Sequence, residues 1–235
     1  MKMTKITIAS YIALALSLFI TFLKFPNLFI WLVQEDKVIE WLTFWTYLSA
    51  SFLFIWTFCI KHQKQNRVEW FFVILAIGCF FIAGEEISWG QRILGLETPE
   101  ILAKRNFQKE LTLHNLGDFG KSWPRRLYMI IVFLYLVVIP YFYKASHNIR
   151  KNLDKLRIII PPSILILPFL CSLLLPFYVK FHVAFGLKLP VHHEYAGEVM
   201  ELFSGFLFLH FSVLEAIRAR SHDKFFKGSF LHFSH

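Results

Sequence analysis

Charge is excluded from long stretches of this chain, and that exclusion limits what it can fold into. Runs of about 14–22 residues carry no Asp, Glu, Lys or Arg, and short basic segments separate them. Because each residue advances a helix by about 1.5 Å, roughly 20 apolar residues are needed to cross about 30 Å of hydrocarbon. Six segments meet or approach that length: 6–23, 38–60, 68–90, 127–143, 158–179 and 197–217. Backbone groups in hydrocarbon must satisfy one another within the segment, so these runs predict helices. The expected fold class is all-α, a polytopic membrane helix bundle forming one domain over residues 1–235. Hydrophobic residues make up 56% of the 235, against about 45–50% in a soluble domain. Six spans leave no length for a separate soluble unit.

The first run follows Lys2 and Lys5, as a signal peptide would. Lys24, Phe25 and Pro26 stand where a small-x-small cleavage site belongs, so an uncleaved span is expected. The fifth run contains Pro161, Pro162, Pro168 and Pro176, which predicts a kinked or partly unwound helix. The net charge of +9 does not point to nucleic acid. Its Lys and Arg residues lie between apolar runs, where anchors to anionic lipid headgroups belong. Cys59, Cys79 and Cys171 all fall inside apolar runs, an odd number without metal-ligand spacing, and read as small buried side chains.

Six spans place both ends of the chain on one side, here side A. Side A collects 14 Lys and Arg against 11 on the opposite side B, so it is expected to be cytoplasmic, in the inner membrane. Acidic residues divide more sharply, 4 on side A and 12 on side B. His114, His182, His192 and His193 also fall on side B.

Two spans are too short to cross without taking carboxylates with them. In the third, residues 71–84 give only 14 uncharged positions before Glu85 and Glu86. In the sixth, residues 202–214 give 13, and Arg218 and Arg220 fix the side A end. Counting about 20 residues back from there puts Glu198 and Glu201 inside the apolar slab. Each buried charge costs roughly 2–3 kcal/mol unless paired, protonated or metal-bound. Glu194, Glu198 and Glu201 follow i, i+4, i+7 spacing and line one helical stripe. A helix continuing to about Ser88 would set Glu85, Ser88 and Arg92 in a similar line. The alternative is that these glutamates reach water or pair with Arg92.

Between the third and fourth spans, Glu110 and His114 are spaced i, i+4 in a segment, 99–116, whose apolar residues predict an interfacial amphipathic piece. Carboxylate plus imidazole is a ligand set for Zn, Mn or Fe. His193 and Glu194 precede the sixth span, and His193 is the favoured ligand of the His192–His193 pair. His210, deeper in that span, reads as a packing residue. Glu35 and Asp36 suit a helix N-terminus, while Glu40 is placed to reach the cluster. Trp31, Trp41, Trp70, Trp89 and Trp123 fall near span boundaries, as an interfacial belt does.

The run Gly84-Glu85-Glu86-Ile87-Ser88-Trp89-Gly90-Gln91-Arg92, with Asn106-x-Gln108-x-Glu110 and Leu113-His114-Asn115, resembles a signature of an uncharacterised family of bacterial polytopic membrane proteins. Residues 35–43 resemble an earlier segment of that family. The resemblance brings no established activity with it. In layout, an acidic and histidine cluster at one membrane face is similar to the ceramidase-like membrane metallohydrolases. Their H-x-x-x-H pair near the last span is replaced here by Glu194, Glu198 and Glu201.

The function expected from these residues is a membrane-embedded metal-dependent hydrolase acting on a lipid or lipid-linked substrate at the side B face. Glu85, Glu86, Glu110, His114, His193, Glu194 and Glu198 are the candidate metal ligands. A carboxylate left over from the metal, Glu85 or Glu201, would be the general base, and Ser88 or Arg92 would stabilise developing charge. Two other readings use the same residues. One is a proton- or cation-coupled transporter. The other is a non-catalytic assembly protein whose acids only pair with basic side chains.

Overall fold

The computed structural model describes residues 2–34, 36–65, 68–103, 112 and 123–230. Those residues form helices joined by turns and short extended links, with no strand among them. In chain order the helices are α1 (Lys2–Lys24), α2 (Pro26–Val33), α3 (Val38–Gln65), α4 (Trp70–Glu86), α5 (Gln91–Leu94), α6 (Glu100–Ala103), α7 (Trp123–Phe133), α8 (Ile139–Ala145), α9 (His147–Lys155), α10 (Ile166–Ser172), α11 (Leu174–Ala184) and α12 (Ala196–Phe230). Five stretches are long and apolar enough to cross a membrane: Lys5–Lys24, Val38–Lys64, Pro124–Ala145, Ser163–Ala184 and Ala196–Ser221. Four of them match the expected first, second, fourth and sixth spans to within a few residues.

The other two expected spans are corrected. The third stops at Glu86, not at 90, so α4 has 17 residues and a length of about 26 Å. Beyond it Ser88, Trp89 and Gly90 all take positive φ (48°, 54° and 76°), a left-handed turn that no right-handed helix can pass through. Gly84 makes room for that turn. A Cβ there would lie 2.8 Å from the Trp89 ring, which folds back over α4. The fifth span starts five residues late, at Ser163 rather than 158, because 158–162 lie outside any helix and end in the Pro161-Pro162 pair, with Pro162 extended. The expected break is present. Pro176 has no N–H to give the Ser172 carbonyl, and α10 and α11 separate at Leu173. Pro140 acts similarly on the fourth span. Residues Leu134–Val138 widen so that the Ile139 N–H reaches the Leu134 carbonyl, five residues back. Residues 26–33, between the first two expected spans, form α2, with Pro26 in its first turn.

The core is three helices. Contacts between α12 and α3 advance together along both: Tyr47 with Ser204, Phe54 with Phe211, Lys61 with Glu215, Lys64 with Ala219. The two therefore run parallel. Contacts between α3 and α4 run in opposite order, Phe54 with Phe72 and Ser51 with the Ala76 carbonyl, so α4 folds back antiparallel. Tyr47, Phe54, Phe72, Phe203 and Phe211 are fully buried between them. In lipid such packing is stabilised by close van der Waals contact rather than by burial from water. At Gly205 a Cβ would overlap Thr46, so glycine sets how closely α3 and α12 approach. Outside this core, α1 reaches α12 through Tyr11, whose hydroxyl donates to the Phe206 carbonyl at 3.0 Å and whose ring stacks on His210. The fourth span lies along α12, with Tyr135 of the widened turn after α7 stacked on Phe208. Large apolar side chains such as Phe52, Ile77, Ile131 and Phe177 are exposed around the outside, as a surface facing lipid requires.

Candidate functional site

The parallel start of α3, α7 and α12, together with the end of α4, gathers charge at side B. Glu198 and Glu201 stand three residues apart on the first turns of α12 and so share a face. Arg125, in the first turn of α7, reaches both. Its Nη2 donates to Glu198 at 2.6 Å and its Nε to Glu201 at 2.7 Å. A second bond from Nη2 to Glu201, at 3.2 Å, completes a fork. Gly197 makes this approach possible, since a Cβ there would stand 2.5 Å from the guanidinium. The planar fork matches carboxylate geometry, and such charge-assisted bonds are the strong ones. Glu201 and Glu198 keep only 14% and 26% of their side chains exposed, and Arg125 32%.

Glu86 closes the group from the end of α4. It lies within electrostatic range of Glu201, Glu198, Glu40 and Arg125. Glu85 turns elsewhere: it is nearly buried, and its Oε1 accepts the Trp89 Nε1–H at 2.7 Å. The left-handed turn after α4 thus separates two neighbours that the sequence treats as a pair. It also breaks the expected Glu85–Ser88–Arg92 line. Ser88 is buried inside the turn, and Gln91 beyond it ties the chain to Thr98 at 2.5 Å and the Leu96 carbonyl at 2.9 Å. Glu40, in the first turn of α3, lies within electrostatic range of Glu86, and its Oε2 accepts the Asp36 N–H at 2.5 Å. Glu40, Glu85, Glu86, Ser88 and Glu198 each take part in further interactions besides these.

One turn deeper, three hydroxyls meet. Tyr128 follows Arg125 by three residues on α7, Ser204 follows Glu201 by three on α12, and Tyr47 comes from α3. The Tyr47 hydroxyl contacts that of Tyr128 and donates to Ser204 Oγ at 2.8 Å. Tyr128 and Ser204 are 2.5 Å apart, and Ser204 donates to the Glu201 carbonyl at 2.8 Å.

Of the remaining expected site residues, His193 is exposed in the short turn before α12, its ring centroid 4.4 Å from that of His192. Glu110 and His114 lie outside the described residues, as do the side chains of Arg92 and Glu194. Among the described residues no three His, Cys, Asp or Glu side chains are grouped as a metal ion would require. Sequence reasoning missed Arg125 and the hydroxyl trio. The missed signal was spacing: Arg125 and Tyr128 are i, i+3, as are Glu201 and Ser204, two matching rungs on two helices. No known protein family, curated protein or solved structure matches the chain.

Proposed function

We propose that this protein is a membrane-embedded hydrolase acting on a lipid or lipid-linked substrate, with its site at side B of the inner membrane and both termini cytoplasmic. The observation that carries the reading is the fork of Arg125 between Glu198 and Glu201, with Glu86 beside it, assembled by separate helices at the end of the bundle. In a bilayer, carboxylates and a guanidinium at the end of such a bundle would stand near the level of lipid headgroups. A carboxylate of this group, Glu201 or Glu86, would take the proton from an attacking water. Arg125, oriented by Glu198 and Glu201, presents fixed positive charge to a developing anion. A divalent Zn, Mn or Fe ion, if one takes part, would be held by Glu85 or Glu86 with Glu110 and His114, whose oxygens and nitrogen are the donors such ions prefer, and would supply Lewis-acid activation of water. The test uses purified full-length protein, assayed for bound metal and for turnover of a panel of phospholipids and ceramides in mixed micelles. Turnover that falls about a hundredfold or more in Glu86→Gln supports the reading. Absence of turnover across the panel, with no bound metal, contradicts it.

A second reading, a proton- or cation-coupled carrier, is favoured by the interrupted spans. The break between α10 and α11 and the widened turn between α7 and α8 are of the kind that frees backbone groups inside a membrane. Flux in proteoliposomes that follows an imposed proton gradient, and is lost in Glu86→Gln, would favour this reading over hydrolysis. A non-catalytic assembly role would leave both assays silent.

A further inference from the structure

Away from the carboxylates, α1 and α12 leave a groove of about 370 Å³ between them. Thr7, Ser10, Tyr11 and Leu14 of α1 line it, with Phe206 and His210 of α12. His210 follows Glu201 by nine residues, two and a half turns, which puts it on the opposite side of the helix. The groove is therefore separate from the cluster around Arg125.

Its polar groups are unevenly committed. The Ser10 hydroxyl donates to the Ile6 carbonyl and the Tyr11 hydroxyl to the Phe206 carbonyl, both at 3.0 Å. His210 is half-buried, its ring parallel to that of Tyr11, with 9° between the planes and 6.2 Å between centroids. That contact uses the ring face alone. Among the described residues neither imidazole nitrogen has a hydrogen-bond partner. A neutral imidazole carries one N–H donor and one bare nitrogen. Hydrocarbon offers a partner to neither.

Depth and size narrow what can supply one. The apolar stretch of α12 runs from Ala196 to Ser221, and His210 stands 14 residues from its first residue and 11 from its last. Those separations are roughly 21 Å and 17 Å along the helix. Phospholipid headgroups stay near the ends of such a stretch and do not reach its middle. The groove has the volume of a cube about 7 Å on a side, too narrow for a helix about 10–12 Å across. It lies within the range of about 300–1,000 Å³ typical of small-molecule sites. The fitting occupant is thus small, uncharged, soluble in the bilayer interior and equipped with a hydrogen-bond acceptor. A prenylquinone has a flat ring, two carbonyl acceptors and no charge to hold it among the headgroups.

We propose that the groove between α1 and α12 binds the ring of a prenylquinone, with the His210 N–H donating to one quinone carbonyl. The site stands apart from the hydrolase reading and does not need it.

The test titrates full-length protein in detergent with decylubiquinone by calorimetry, then maps the site with an azido-substituted quinone and peptide mass spectrometry. The expected result is one saturable site per chain, with label on residues 6–14 and 206–210. Affinity falls about tenfold in His210→Phe, which keeps a flat ring beside Tyr11 but has no donor. Ser10→Phe, at an exposed position of α1, fills the groove and abolishes binding. Decylbenzene, which has a ring and tail but no carbonyl, does not compete. Absence of saturable binding, affinity unchanged in His210→Phe, label confined to other helices, or equal competition by decylbenzene would overturn the proposal. Ser10→Cys chains that cross-link to one another in the membrane, in a protein that binds no decylubiquinone, would give the groove to a second copy instead.

Discussion

At the side A end of the three-helix core, Glu215 of α12 is met by Lys61 of α3 at 3.8 Å and by Arg218 of its own helix. At the side B end the proportions reverse: Arg125 is shared by Glu198 and Glu201. Glu215 is 4% exposed, but Arg218 keeps 56% of its side chain exposed, and Lys61 runs past the Phe72 ring towards the end of the helix. Those cations have long stems that reach water when a partner is lost. Arg125 has less freedom, because it is wedged against Gly197 and held by a fork. The side A pairs join α12 to α3 and to its own next turn. The side B pairs fix a peripheral helix, α7, to the core and put two carboxylates of α12 on one guanidinium, with Glu86 of α4 in electrostatic range.

That difference can be broken by mutation. The largest effect is expected from Arg125→Leu, which strands Glu198 and Glu201 and lowers stability by about 3 kcal/mol or more in thermal unfolding in detergent. Glu215→Gln is expected to cost less, about 1–2 kcal/mol, because its partners can turn to water. Equal losses would erase the contrast between the two ends. Next is Gly197→Ala, whose added methyl displaces the guanidinium and costs about 1–3 kcal/mol. That cost should vanish in an Arg125→Leu background, because the side chain it collides with is gone. Tyr47→Phe removes one donor from the trio and is expected to cost about 1 kcal/mol by the same unfolding measurement. The smallest effect belongs to Arg220→Ala, which loses only the stacking of its guanidinium 4.2 Å over Trp56, about 0.5–1 kcal/mol at an exposed site.

The charge-free runs made the helical class and four span positions readable, because hydrocarbon thickness imposes a length that any sequence must meet. The same arithmetic brought Glu86, Glu198 and Glu201 to one face, and the structure gathers them there with Glu40. Continuity was not legible. Helical spacing carried through Ile87 would align Glu85, Ser88 and Arg92, but the three left-handed residues that follow send Glu85 to Trp89 instead. Nor was Arg125 legible as a partner. Beside Arg126 and before an apolar run it looks like an interfacial anchor, and only the packing of α7 along α12 turns one of the two inward. The late start of the fifth span follows from Pro161 and Pro162, which were visible but were counted inside the apolar run.

The account depends on Arg125 and the α12 carboxylates acting as one unit within the bundle. A double-mutant cycle on unfolding free energy, with Arg125→Leu, Glu201→Leu and the pair together, measures that directly. The predicted result is a coupling of about 1.5 kcal/mol or more, with the double variant more stable than Arg125→Leu alone. Losses that add to within about 0.5 kcal/mol would mean that the two side chains do not interact, and the site described here would not exist.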